Sequence, residues 1–219
     1  NLIIKGFTTN PTLMKAAGIT DYTAFAHKVL KAIPDRPVSF EVFADDPSEM
    51  KEQAHQIASW GKNINVKIPV TTTAGQFLGP LIKELSHAGI SVNVTAVFTL
   101  QQVHAIAEAL NPSTPAIVSV FAGRVADSGI DPVPLMREAA KMLEHLPKAD
   151  LLWASPRELL NIFQADQVGC GIITVTNDLL KKLALVGKDQ HEYSLETVKM
   201  FYNDAQKVGY TIKTSENSH

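Results

Sequence analysis

The sequence predicts a parallel α/β barrel of the (β/α)8 or TIM-barrel class, and three observations carry that prediction. Short β-branched runs alternate with longer amphipathic segments along the chain, the pattern of repeated strand–helix units. Successive runs are spaced by roughly 25 to 30 residues, the scale of a strand with its crossover helix. No Gly/Ser-rich linker or break in composition interrupts the alternation, so one barrel domain is expected over residues 1–212. The tail KTSENSH (213–219) is polar and is expected to be disordered.

The elements follow in order. IIKGFTTN (3–10) reads as a strand closed by Thr8, Thr9 and Asn10 immediately before Pro11, with Asn10 also placed to cap the turn that follows. DYTAFAHKVLKAI (21–33), PSEMKEQAHQIASW (47–60) and PVPLMREAAKMLEHL (132–146) have helical apolar spacing. Asp21, Asp46 and Asp131 stand just ahead of them, where a carboxylate can cap free N–H groups. The remaining strands are VSFEVFA (38–44), NVKIP (65–69), SVNVTAVF (91–98), AIVSVFAG (116–123), DLLWAS (150–155) and GIITVT (171–176). That makes seven, one fewer than a closed barrel needs. The missing first strand is expected before residue 1; the alternative is an open, doubly wound sheet. No GxGxxG or GxxxxGK follows any strand, which removes motif support for a nucleotide-binding open sheet.

Composition excludes several classes. The 219 residues are 45% hydrophobic and 19% charged with a net charge of −2. That balance gives no electrostatic reason to expect nucleic acid or an anionic membrane as partner. The single cysteine, Cys170, cannot form an internal disulfide and favours a reducing, cytoplasmic setting. No apolar run approaches the roughly 20 residues of a membrane span, and no signal peptide is expected before the first strand. The histidines show no metal-ligand spacing, so no metal is expected. Cys170, Trp60 and Trp153 are read as packing residues.

Polar residues on the strands are the informative departure. A barrel strand is covered on both faces and normally reads as almost continuously apolar. Here Ser39, Glu41 and Phe43 share a face opposite Val38, Phe40 and Val42. Asn65 and Lys67 share a face, Asn93 and Thr95 do so in the next strand, and Ser119 and Phe121 in the one after. A buried unpaired charge costs several kcal/mol, so Glu41 and Lys67 need a reason. A structural ion pair is one. The other is chemistry: an amine in an apolar setting can condense with a ketone to a Schiff base, whose iminium draws electrons from the adjacent C–C bond. A carboxylate, directly or through water, then moves the protons, and Thr95 is placed to hold that water. At two strand ends, Arg124, Ser155 and Arg157 are suited to clamp a phosphate, with Asp127 able to neutralise one arginine.

The motifs GFTTNPT (6–12), VKIPVT (66–71), NVTAVFT (93–99), SVFAGR (119–124), WASPRE (153–158) and GIITVTNDLL (171–180), in this order and spacing, resemble the transaldolase family. The likeness covers nearly the whole chain and is nearest to the short, single-domain branch that includes the fructose-6-phosphate aldolases. The resemblance implies Lys67 as the Schiff-base lysine, Glu41 as the carboxylate on the catalytic water and Thr95 as its partner. It implies substrate binding or lysine orientation by Thr9, Asn10, Asn93 and Ser119, with Phe121 lining the site and Arg124, Ser155 and Arg157 on the sugar phosphate. The implied reaction is cofactor-free transfer of a dihydroxyacetone unit between fructose 6-phosphate or sedoheptulose 7-phosphate and an aldose phosphate in the pentose phosphate pathway.

Two positions bear on the activity that this resemblance implies. The aldolase branch typically has Gln in place of Glu41 and Tyr in place of Phe121, so transaldolase is favoured over fructose-6-phosphate aldolase. A catalytically inactive sugar-phosphate-binding barrel is the reading from another class. The family's first strand, with an Asp in a pattern like FLDT, has no counterpart from residue 1 onward. Relatives of this size often form rings, so a homo-oligomer is expected. SLETVKMFYNDAQKVG (194–209) has the apolar spacing to pack on a neighbour or on its own barrel.

Overall fold

A computed structural model describes residues 3–214. The chain forms two compact units, Asn1–Thr176 and Asn177–His219. The first holds a single sheet of seven strands: β1 (Phe7–Thr8), β2 (Val38–Glu41), β3 (Ile64–Pro69), β4 (Val92–Val97), β5 (Ala116–Val120), β6 (Ala149–Trp153) and β7 (Ile172–Ile173). Their order in the sheet is their order in the sequence, and every neighbouring pair is parallel. Parallel neighbours need a crossover. Those crossovers contain α1 (Pro11–Ala16) and α2 (Tyr22–Ala32), then α3 (Pro47–Ala58), α4 (Gly79–His87) and α5 (Leu100–Ala109), then α6 (Ala122–Asp127), α7 (Pro132–Leu143) and α8 (Leu160–Gln167). Among the described residues β1 and β7 do not pair with each other.

Local chemistry explains the element starts. Asp21 accepts from the Ala24 N–H at 2.9 Å, Asp46 from Ser48 and Glu49, and Asp131 from Val133 at 2.9 Å. Each carboxylate thus satisfies donors that a helix N-terminus leaves free. Two of the predicted runs shrink to two-residue strands. The run 3–10 keeps only Phe7–Thr8 because Asn10 caps α1, accepting from Leu13 N–H at 2.8 Å, and Pro11 opens the helix. The run 171–176 keeps only Ile172–Ile173, which pairs with the last two residues of β6.

The two faces of the sheet differ, as the alternation requires. Val38, Phe40, Val66, Ile68, Val92, Val94, Val118 and Trp153 are buried in one core with Met50, Ile57, Ile82, Leu85, Val103, Ile106 and Met136 from the helices. Residues between them on the strands, Ser39, Lys67, Asn93, Thr95 and Ser119, are buried polar groups.

The second unit holds α9 (Asn177–Lys181), a 3-10 turn (Lys182–Leu185) and α10 (Gln190–Val208). Asp189 caps the long helix, and Gly209, at φ 75°, closes it in the left-handed conformation that glycine adopts without a Cβ penalty. The segment 194–209 lies on α10 and its cap. From residue 215 onward the tail expected to be disordered lies outside the described residues. No helix among the described residues is long and apolar enough to cross a membrane.

Candidate active site

Strand register brings the polar side chains to one level. Glu41 of β2 is opposite Lys67 of β3, and Lys67 is opposite Asn93 of β4. Side chains in register on parallel strands share a face, so three functional groups from three strands converge. Ser39 lies opposite Asn65 one step earlier, and Thr95 opposite Pro69 one step later.

Lys67 is only 8% exposed. Its Nζ donates to the Thr9 backbone carbonyl at 3.1 Å and stands 3.5 Å from Glu41 Oε2. An ammonium has three N–H donors, so the nitrogen is positioned without being saturated. Beside it, Asn93 Nδ2 donates to Ser39 Oγ at 3.0 Å, and Ser119 Oγ donates to Asn93 Oδ1 at 2.7 Å. These bonds, to β2 and from β5, fix which end of the amide faces which way. Burial pushes the Glu41 carboxyl above its ordinary range, and the Lys67 charge offsets only part of that effect.

Thr95 differs from its neighbours, since its Oγ1 is buried and has no hydrogen-bond partner among the described residues. An unpaired buried hydroxyl costs about 1–3 kcal/mol. The adjacent Ala96 has φ 60°, within a register shift between Val94 and Val97 of β4. Left-handed backbone costs a non-glycine residue about 1–2 kcal/mol. A bulge of this kind re-aims side chains and occurs beside active sites, and here it adjoins the unpartnered hydroxyl.

A second group lies just past the ends of β5 and β6. The Arg157 guanidinium grips Asp127 through Nε, at 2.9 Å, and through Nη2, and holds that carboxyl below its ordinary range. Arg124 lies over the Phe121 ring, 5.7 Å from its centroid, and Phe121 in turn packs on Phe98. Ser155 is left-handed at φ 56°. Its carbonyl approaches Gly123 so closely that a Cβ there would fall 1.4 Å from the oxygen. Gly123→Ala is therefore expected to destabilise the fold by about 3 kcal/mol, read as a lower urea midpoint. An unchanged midpoint would show that the β6 turn moves aside freely.

Of the residues read from sequence, the structure unites Thr9, Glu41, Lys67, Asn93 and Ser119 in two adjoining hydrogen-bonded groups, with Thr95 on the same face. Asn10 spends its Oδ1 on capping α1 and keeps its Nδ2 donors among the described residues. Phe121, Arg124, Ser155 and Arg157 form a separate cluster. Cys170 is partly buried, and burial pushes its thiol up to about 12, consistent with a packing role. Two contributors escaped the site reading. Ser39 was legible on the correct face without its bond to Asn93. Tyr22, on α2, takes the Glu41 N–H on its Oη at 2.7 Å, and nothing in the local sequence around it signals that contact.

Comparison with known proteins follows from this geometry. The family model described as Transaldolase/Fructose-6-phosphate aldolase matches residues 1–216. A probable transaldolase of Dehalococcoides mccartyi is 34% identical over 207 residues, covering 94% of this chain and 90% of that protein. One from Thermoplasma volcanium is 32% identical over 209 residues, covering 94% and 87%. Probable transaldolase 2 of Listeria monocytogenes is 33% identical over 182 residues, covering 83% and 79%. Among solved structures, a mandelate oxidase is similar at a TM-score of 0.50 and 10% identity, covering 75% of this chain and 55% of that one. The chain thus spans about half of that structure, and the likeness concerns the barrel-like fold alone.

Proposed function

The chain belongs to the transaldolase/fructose-6-phosphate aldolase family, and from that premise we propose that it is a transaldolase working through a Schiff base on Lys67. The observation that carries the proposal is the placement of Lys67, a buried amine between Glu41 and Asn93 at one level of the sheet.

The neutral amine adds to the ketone carbon of fructose 6-phosphate or sedoheptulose 7-phosphate, and loss of water leaves an iminium. The iminium accepts the electron pair of the C3–C4 bond as it breaks. Glu41 takes the C4 hydroxyl proton, directly or through water, and an aldose phosphate leaves. The enamine that remains adds to an acceptor aldehyde, and hydrolysis releases the lengthened ketose. A carboxyl whose affinity for protons is raised by burial suits this two-way traffic. The buried Thr95 hydroxyl, without a partner among the described residues, is suited to hold the hydrolytic water. Asn93, Ser119 and the Asn10 Nδ2 would meet substrate hydroxyls. Arg124 would lead in binding the phosphate, because Arg157 already spends Nε and Nη2 on Asp127, and Ser155 would assist. Phe121 supports transfer over free aldol cleavage, since its ring offers no hydroxyl to protonate the enamine before the acceptor arrives.

Borohydride reduction in the presence of fructose 6-phosphate, followed by peptide mass mapping, tests this reading. A reduced sugar adduct is expected on Lys67. Absence of an adduct, or its appearance on another lysine, would overturn it.

A further inference from the structure

The ladder between β1 and β2 stops one hydrogen bond early. Phe7 N–H donates to the Pro37 carbonyl at 2.9 Å, and Thr9 N–H donates to Ser39 at 3.2 Å. In a parallel pair, evenly spaced bonds alternate between the two strands, so the next bond would run from Glu41 N–H to the Thr9 carbonyl. The pairing instead ends at Thr8 and Ser39. The two groups that should have met are both occupied elsewhere. Glu41 N–H donates to Tyr22 Oη at 2.7 Å, and the Thr9 carbonyl accepts from Lys67 Nζ at 3.1 Å.

We propose that Tyr22 is a positioning residue: by taking the Glu41 N–H it diverts that donor from the Thr9 carbonyl, which then holds the Lys67 nitrogen beside the Glu41 carboxylate. The proposal rests on the Schiff-base reading of Lys67. Tyr22 is well placed for the task. It is the first residue of α2, whose start is pinned by Asp21. Its ring sits edge-on to Phe40 at 6.0 Å and Phe43 at 4.5 Å, and it also packs on Trp60 at 6.1 Å. Its hydroxyl is also beside that of Thr9. Thr9 Oγ1 gives its own proton to the Ser39 carbonyl at 2.9 Å. One phenol thus bonds the residue that carries the carboxylate and lies beside the residue whose carbonyl holds the amine. A buried backbone N–H must find a partner, and without the phenol oxygen the nearest ladder partner for Glu41 is the Thr9 carbonyl.

Tyr22→Phe removes the oxygen and keeps the ring. The full chain is compared with wild type in two ways. Without substrate, the Thr9 carbonyl ¹³C shift and the Lys67 ε-carbon shift are both expected to move. With fructose 6-phosphate and borohydride, the saturating rate of trapping on Lys67 is expected to fall about tenfold, the scale of one lost positioned hydrogen bond. The half-saturating concentration should change by less than about twofold, because substrate contacts are untouched. Trp60→Phe disturbs the same aromatic cluster and leaves the phenol in place. It should lower Tm at least as much as Tyr22→Phe while leaving the trapping rate within about twofold of wild type. Unmoved Thr9 and Lys67 shifts in Tyr22→Phe, or an equal trapping loss in Trp60→Phe, would overturn the proposal. If wild type traps nothing on Lys67, the Schiff-base reading fails by itself, and the two shifts still decide whether Tyr22 controls the Thr9 carbonyl.

Discussion

Lys67→Met is expected to remove turnover, by about four orders of magnitude or more, the scale on which loss of a covalent nucleophile is felt. Stability should respond as well, for a separable reason. Lys67 and Glu41 are a partly buried pair at 3.5 Å, and removing one partner strands the other charge at a cost of about 3–5 kcal/mol when burial is deep. Glu41 keeps 18% of its side-chain surface exposed and already binds its proton more tightly than a free carboxylate. The loss should therefore lie at or below the lower end of that range. The double variant Lys67→Met, Glu41→Gln removes the stranded charge and should recover most of the stability. Turnover should not return. Urea unfolding and a coupled assay on both variants separate the roles, and an active double variant would mean that Lys67 serves the fold rather than the chemistry.

That separation shows what the sequence can and cannot carry. Alternation at period two placed Glu41, Lys67, Asn93, Thr95 and Ser119 on one face, because strand geometry fixes side-chain direction locally. Parallel register then had little freedom, since slipping one residue would send the buried valines to the polar face. The tight turns were harder to read. The stop at Asn10 and Pro11 was legible, but not that β1 keeps only Phe7–Thr8 of the run. The contact between Tyr22 and Glu41 spans 19 residues and depends on where α2 lands, which no local pattern encodes. The same holds for the bulge at Ala96 and for the close approach of Ser155 to Gly123. Both are set by neighbouring strands and loops rather than by residue type. The Arg157 and Asp127 pair was legible as two charges on nearby loops, but its bidentate geometry was not.

Glu41→Gln is the second large effect, and its two consequences point in opposite directions. Turnover is expected to fall about 10²- to 10⁴-fold, the usual worth of a general acid–base group. The Lys67 adduct should still be trapped by borohydride, because the amine remains. Stability should move the other way with pH. Burial raises the folded pKa of Glu41 above its unfolded value, so between those two values the native state binds more protons than the unfolded state. The slope of unfolding free energy with pH is proportional to protons bound unfolded minus protons bound folded, and for this group it is negative. Wild type therefore loses stability from Glu41 as pH rises from about 4, the ordinary carboxylate value, through the raised folded value. Glutamine resembles the protonated form and does not titrate, so the variant should gain on wild type across that window and hold its advantage above it. Urea midpoints for both proteins at acidic and neutral pH measure the difference. A wild type that gains on Glu41→Gln with rising pH would show that Lys67 outweighs burial at this carboxylate, leaving Glu41 a permanently ionised partner without the raised proton affinity that the two-way proton transfer uses.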